Sequence, residues 1–207
     1  MAPPSFANQK QLPLVTISLI VAHLLLFGYT LTLDTQTLAQ FLRQWAVQPV
    51  QLFTQFQTEF ITLLSAIFLH GSWIQIGSNS LAIAFFGPLV EAHFRPIQTL
   101  IIYLTAGLGA FAAQLLLEPA NAVPILGATG AIAGLVGAAL TTSHRMSRPR
   151  LAATIFLWFI AQQLYGVLPL KQMQFQLGSG AFFAAISGIM IGVLLTRQLK
   201  NRPKQSR

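Results

Sequence analysis

Thr129 is the side chain whose setting in this sequence most favours chemistry. It follows Gly127-Ala128 and opens an apolar segment rich in glycine and alanine. A threonine hydroxyl is an effective nucleophile only when a base removes its proton. Threonine is also a favoured residue at helix N-termini, so a structural role as an N-cap is the simpler interpretation.

Gln75 and Asn79 could supply hydrogen-bond donors. They are four residues apart, so they share one helix face, and each carries an NH2 group. Together with the N-terminus of a helix at Thr129, they could bind a carbonyl or a carboxylate. Alternatively, they satisfy backbone groups of the segment 118–126.

The sequence offers no base for Thr129. His144 lies at the far end of the same helix, about 22 Å away at about 1.5 Å per residue. His93 lies at the inner end of the second predicted span, and His23 lies inside the first. We expect His70, just before the second span, to bond neighbouring backbone, because a histidine with no second ligand rarely binds a metal.

The composition predicts a membrane protein. Hydrophobic residues make up 54% of the 207 residues, charged residues 8%, and the mean hydropathy is +0.65. These values exclude an ordinary soluble domain. Cysteine is absent, which excludes disulfides and thiolate metal sites, and we expect neither a metal nor a cofactor.

Apolar segments predict an all-α protein with six transmembrane helices. The predicted spans are 12–33, 73–90, 97–117, 129–142, 151–170 and 178–196, with a polar arm at 1–11 and a basic tail at 197–207. The fourth is only about 20 Å long, whereas a bilayer core is about 30 Å thick, so its start must lie at membrane depth. Irregular backbone at that depth requires surrounding protein or a water-filled cavity, and Thr129 would lie at the floor of that cavity. The amphipathic segment 34–58 predicts a loop lying in the membrane interface.

The positive charges predict the orientation. With six spans, one side of the membrane would carry both termini and most of the lysine and arginine: Lys10, Arg95, Arg145, Arg148, Arg150, Arg197, Lys200, Arg202, Lys204 and Arg207. Lysine and arginine accumulate on the cytoplasmic side, so both termini are expected to be cytoplasmic, or stromal in an organelle. The net charge of +8 therefore reflects topology, and basic residues scattered over short loops argue against a nucleic-acid partner.

Small residues recur every fourth position in two predicted spans. The positions are Gly130, Gly134 and Ala138 in the fourth span, and Gly180, Ala184, Gly188 and Gly192 in the sixth. Such stripes let membrane helices approach closely, so we expect Gly130 and Gly134 to face Gly188 and Gly192. The same stripes could instead mediate a homo-oligomer.

These residues resemble the rhomboid family of intramembrane serine proteases from about residue 12 to 196. The match is carried by four segments: Phe68-Leu69-His70-Gly71-Ser72-Trp73-Ile74-Gln75 with Asn79, then Glu91, then Gly127-Ala128-Thr129-Gly130-Ala131, and Ala184-Ala185-Ile186-Ser187-Gly188 with Gly192. The resemblance implies the same six-helix bundle.

The departures from the family pattern change the expected function. The resemblance implies a nucleophilic serine where Thr129 stands, a histidine base where Ala185 stands and an oxyanion histidine where Gln75 stands; only Asn79 is kept. Ala133 stands where an aromatic usually stacks on the base.

We therefore expect a catalytically inactive rhomboid-like protein that binds transmembrane segments or serves as a subunit or assembly factor of a membrane complex. Its membrane would be a bacterial inner membrane or an organelle membrane such as the thylakoid. The alternative is an intramembrane endopeptidase that uses Thr129 with an unidentified base. A lipid or small-molecule carrier is a third possibility, with no positive feature behind it.

Overall fold

The computed structural model describes residues 12–120, 123–142, 147–167 and 180–201, and the side chains within these ranges except those of 163–167 and 180–181. Helices make up the described architecture, together with a single isolated antiparallel bridge. In chain order they are α1 (Leu14–Leu31), α2 (Thr35–Trp45), α3 (Pro49–Thr54), α4 (Phe56–Glu59), α5 (Thr62–Ser65), a 3-10 turn (Ala66–Phe68), α6 (Trp73–Glu91), α7 (Pro96–Leu117), α8 (Thr129–Thr142), α9 (Arg148–Val167) and α10 (Gly180–Asn201).

Four of the described helices are long and apolar enough to cross a membrane. They are Leu14–Leu31, Trp73–Glu91, Pro96–Leu117 and Phe182–Asn201. The helix α8 is apolar but has only 14 residues, and α9 falls outside this group of four. The described structure is thus an all-helical membrane fold, and the count of six spans remains a prediction.

The short helix α8 lies at the centre of the bundle. Eleven of its 14 residues are buried, and it packs against α10, α7 and α6. A helix that is apolar all round is expected to be buried in this way. In the described part of the chain, the start of α8 therefore lies among the surrounding helices and the segment that precedes it.

Glycines allow α8 to approach two neighbours. A Cβ added to Gly188 or Gly192 would overlap the backbone carbonyl oxygen of Gly130 or Gly134, respectively. The Cβ direction of Gly134 itself points at Ala106 of α7. Gly130 and Gly134 thus contact α10 through their backbone while their side-chain positions face α7.

A carboxylate joins the first two long helices. Glu91, at the end of α6, accepts hydrogen bonds from the backbone N–H groups of Val15 and Thr16 at 2.9 and 3.1 Å, and from the Thr16 hydroxyl at 2.9 Å. The first N–H groups of a helix have no partner within the helix. Glu91 therefore caps α1 and fixes its start against the end of α6.

The segment between α1 and α6 is folded rather than an open loop. The interfacial loop that we predicted at 34–58 contains the short helices α2 and α3 and most of α4, with Leu42 and Leu52 among its buried residues. The outer side of these helices exposes aromatic residues, among them Phe53 and Phe56. This amphipathic arrangement is typical of a segment that lies in a membrane interface.

Helix α10 continues further than the sequence suggested. The predicted sixth span ended at Thr196, whereas α10 ends at Asn201, so part of the expected basic tail is helical. The Lys200 ammonium donates to the carbonyl oxygen of Thr141 at 2.5 Å. Since the last carbonyls of a helix have no partner within the helix, Lys200 caps the end of α8 from α10.

Candidate functional site

The backbone that leads into α8 is held on two sides by the segment between α1 and α6. Val47 and Ile125 exchange backbone hydrogen bonds at 3.0 and 2.7 Å, and the Gly127 N–H donates to the Ala66 carbonyl at 2.9 Å. These bonds satisfy backbone groups that could not remain unpaired inside a membrane. They also set the position at which α8 begins.

Gly127 is required by both its conformation and its surroundings. Its φ is +121°, a region that residues with a side chain rarely adopt. A Cβ at this position would lie 2.5 Å from Nε2 of Gln75, so the Gln75 amide occupies the space beside the glycine. The start of α8 and the polar face of α6 are therefore in direct contact.

Thr129 does not cap α8, contrary to our structural interpretation of this residue. The Ile132 N–H donates to the carbonyl of Ala128 at 2.8 Å, which places Ala128 at the N-cap. The Thr129 hydroxyl instead donates to Oε1 of Gln162 on α9, over 3.4 Å. Thr129 is thus directed towards a neighbouring helix.

Gln75 and Asn79 lie buried on one face of α6, as their spacing indicated, but with different partners from those we expected. Oε1 of Gln75 accepts from the N–H of Gly71 at 2.7 Å, just before α6. Asn79 is fully buried and bonds to His70 and Gln162. Neither side chain shows a hydrogen bond to the segment 118–126 in the part of the chain that the structure describes.

A directed chain of hydrogen bonds connects Thr129 to the backbone that precedes α6. His70 Nδ1 lies 3.2 Å from the carbonyl oxygen of Phe68, which can only accept, so Nδ1 carries the proton and Nε2 accepts. Asn79 Nδ2 donates to that Nε2 over 3.1 Å. Asn79 Oδ1 therefore accepts from Gln162 Nε2, over 2.6 Å, and Gln162 Oε1 accepts from the Thr129 hydroxyl.

This direction requires an uncharged His70, and its burial provides one. The pKa of His70 is lowered to about 3, mainly because burial removes the ring from water, with the nearby His23 acting in the same direction and the bond to Phe68 opposing the shift. The ring of His23 lies 4.9 Å from that of His70, and Tyr103 Oη lies 3.1 Å from His23 Nε2. The buried polar groups thus extend from α8 across α6 to α1 and α7.

No titratable group is bonded to Thr129 in the described ranges. The partner of its hydroxyl is the amide oxygen of Gln162, which does not take up a proton at any physiological pH. Ala185 and Ala133 are both buried in the apolar core, and on α10 the following turn brings Gly188 against Gly130. His93 is exposed after the end of α6, and His144 lies outside the described residues.

Gln162 is the site residue that the sequence interpretation missed. It is 7% exposed and also donates to Ser78 Oγ over 3.4 Å, so it connects α9 to both α6 and α8. A signal was present, because two consecutive glutamines interrupt the apolar stretch of α9. Polar side chains inside a membrane helix are rare and usually face the bundle interior.

Residues 57–202 match the family model of the rhomboid domain. The chain belongs to the rhomboid family. It is 31% identical over 153 residues to Rhomboid-like protein 11, chloroplastic, of Arabidopsis thaliana, a match that covers 69% of this chain and 54% of that protein. It is 32% identical over 148 residues to RHOMBOID-like protein 6, mitochondrial, of the same plant, covering 69% of this chain and 44% of that protein.

RHOMBOID-like protein 5 of Arabidopsis thaliana is 26% identical over 138 residues, covering 64% of this chain and 43% of that protein. The chain therefore spans about half the length of these curated relatives. Rhomboid membership and the four long apolar helices together make it an integral membrane protein.

Proposed function

We propose that this rhomboid protein binds transmembrane segments without cleaving them, and that it acts as an assembly factor or subunit of a membrane protein complex. The observation that carries the proposal is the partner of Thr129, whose hydroxyl donates to the side-chain amide oxygen of Gln162. Acyl transfer needs a base at this position. An amide oxygen is not basic enough to remove the hydroxyl proton.

Substitutions elsewhere in the site support the same conclusion. The resemblance to rhomboid proteases implies serine, histidine and histidine at the positions of Thr129, Ala185 and Gln75. General-base catalysis typically contributes about two to four orders of magnitude in rate. A residual oxyanion site gives little useful turnover without a nucleophile and its base.

The remaining polar groups suit binding. The first N–H groups of α8 and the NH2 group of Gln75 are donors beside Gly127, where a carbonyl of a bound segment could be held. Such a carbonyl becomes available when a transmembrane helix is interrupted or unwound. The proposed partners are therefore transmembrane segments and the lipids around the bundle.

The proposed topology has six spans with both termini on the cytoplasmic or stromal side. Helix α9 has 20 residues, which is about 30 Å of helix and matches the thickness of a bilayer core. Reporter fusions after Arg150 and after Lys171 are expected to lie on opposite sides of the membrane. Agreement between the two reporters would contradict the six-span arrangement.

The second candidate is an intramembrane endopeptidase that uses Thr129. Membership of the rhomboid family favours it, as does the position of Thr129 at the start of the buried helix α8 beside Gln75. It requires a base from outside the contacts described above. Peptide products that depend on Thr129 would establish it.

A cross-linking experiment tests the binding proposal. A photoreactive residue at Ser78, which faces the polar site, is expected to capture intact transmembrane proteins in native membranes. The matched control is the same residue at Phe156, which is 63% exposed on α9 and should capture mainly lipid. Capture of the same material at both positions would contradict the proposal.

A further inference from the structure

One end of the helical bundle, here called the basic end, carries most of the described positive charge. Helices α6, α8 and α10 finish there, and α1, α7 and α9 begin there. Its exposed basic side chains are Arg95, Arg148, Arg150, Arg197 and Lys200. Of the four acidic side chains in the sequence, only Glu91 lies at this end, where it is bonded to the start of α1. The basic end therefore has a net positive charge.

The central helix α8 is exposed near the basic end. Leu140 is 49% exposed, although most residues of α8 are buried. It follows Thr129 by eleven residues, which is about three helical turns, so both side chains lie on the same face of α8. Thr129 directs its hydroxyl at Gln162 of α9, so this face is turned towards α9. Leu140 therefore lies at the floor of a crevice beside α9.

Helix α10 borders Leu140 on the other side of the crevice. The hydroxyl oxygens of Thr141 on α8 and Thr196 on α10 lie 2.8 Å apart. Leu140 precedes Thr141, and the exposed Arg197 follows Thr196. Leu140 and Arg197 thus lie at about the same level, with Arg197 at the mouth of the crevice.

Arg150 reaches the same level from α9. Gln162 contacts Thr129, and α9 runs in the opposite direction to α8. Twelve residues separate Thr129 from Thr141, and twelve separate Gln162 from Arg150, which is about 18 Å along each helix. Arg150 therefore lies at about the level of Thr141, across the crevice from Arg197.

The crevice closes towards the other end of the bundle. The rings of Phe159 on α9 and Phe182 on α10 lie 6.0 Å apart in an edge-to-face arrangement. The two helices are in contact there, so the space between them opens at the basic end.

The apolar length beside the two arginines matches one leaflet of a bilayer. Exposed apolar side chains extend from Arg150 as far as Ile160 on α9, and from Arg197 as far as Ile186 on α10. These stretches span ten and eleven residues, or about 15 and 16 Å of helix. Half of a bilayer core is about 15 Å thick. A lipid that lies along these helices therefore has its headgroup at the two arginines.

We propose that this crevice binds an anionic phospholipid of the surrounding leaflet, with an acyl chain against Leu140 and the phosphate between Arg150 and Arg197. Arginine suits this ligand because its planar guanidinium group binds phosphate oxygens in a bidentate manner. A zwitterionic lipid adds an ammonium group, which the positive charge of the basic end repels. The crevice lies about 16 Å along α8 from Thr129, so this inference does not depend on the binding of transmembrane segments.

Native mass spectrometry of the full-length protein in a non-ionic detergent tests the proposal. The protein is titrated with phosphatidylglycerol or with phosphatidylcholine of the same acyl chains. Each basic residue near an anionic lipid contributes a gain of about fivefold in affinity. The first phosphatidylglycerol is therefore expected to bind at least about tenfold more tightly than the first phosphatidylcholine. Equal affinities would overturn the proposal.

Three variants and a matched control locate the site. Arg150→Gln and Arg197→Gln should each reduce the preference for phosphatidylglycerol by about fivefold. The control is Arg43→Gln, an exposed arginine on α2 at the other end of the bundle, which should leave the preference unchanged. Leu140→Trp fills the crevice without changing the charge and should weaken the binding of both lipids. An equal loss in Arg43→Gln, or full binding in a folded Leu140→Trp variant, would overturn the assignment of the crevice.

A competition experiment separates the lipid from other anionic partners. Polyglutamate and inorganic phosphate carry negative charge but no acyl chain, so neither should displace bound phosphatidylglycerol at the same concentration. Displacement by polyglutamate would assign the basic end to an acidic protein segment, and displacement by phosphate would assign it to a free anion. Either result would overturn the lipid site. The titrations of the natural protein and of the two exposed arginine variants decide the matter even if Leu140→Trp fails to fold.

Discussion

Replacing Gly192 with alanine tests the packing at the centre of the bundle. The added Cβ would overlap the carbonyl oxygen of Gly134 and lie 2.8 and 2.9 Å from its carbonyl carbon and Cα, where ordinary contact begins at 3.4 Å. Backbone atoms cannot rotate out of the way, so α8 and α10 must separate by at least about half an ångström. Overpacking of this kind typically costs about 1–3 kcal/mol.

The matched control is Gly28→Ala on α1. A Cβ at Gly28 would meet no atom within 4 Å, so this change should be neutral or stabilising by up to about 1 kcal/mol through helix propensity. The free energy of unfolding is measured by titration with SDS in mixed micelles, followed by circular dichroism. If Gly192→Ala unfolds at the same SDS fraction as Gly28→Ala, the close packing of α8 against α10 is wrong.

Two further predictions concern polar groups. Glu91→Gln replaces the carboxylate that accepts three hydrogen bonds from Val15 and Thr16, so it should lower the free energy of unfolding by about 1–3 kcal/mol. The control is Glu59→Gln. The Glu59 carboxylate has no hydrogen bond in the described structure, so this change should alter the free energy of unfolding little. The burial of His70 holds its pKa at about 3 in the folded protein, against 6.5 for an exposed histidine. As pH falls below about 6.5, the unfolded chain therefore binds a proton that the folded protein does not, and stability is lost. The His70→Asn variant should show a shallower loss of stability with falling pH, by up to about 1.4 kcal/mol per pH unit, and an unchanged slope would contradict an uncharged, buried His70.

The sequence predicted the features that depend on local pattern. The bounds of α8 agree with the predicted short apolar segment, and the glycines of α10 contact the backbone of Gly130 and Gly134. Both follow from helical periodicity and the small size of glycine, which are readable from spacing alone.

The features that depend on tertiary contacts were harder to predict. Gln162 is 33 residues from Thr129 in the chain, and only the packing of α9 against α6 brings them together. The expected role of Thr129 as an N-cap was wrong for the same reason. Its hydroxyl bonds to Gln162 on another helix, a contact that the local sequence does not show. Similarly, the contact of Lys200 with the end of α8 joins two helices distant in the chain, which hydropathy cannot show.

The most direct test of the account is peptide-bond cleavage by the purified protein. Thr129 donates to an amide oxygen, so the protein reconstituted in lipid should leave transmembrane substrates of rhomboid proteases intact and should not react with fluorophosphonate probes. The same preparation should still bind transmembrane segments. Cleavage by the natural protein that disappears in the Thr129→Ala variant would contradict the account.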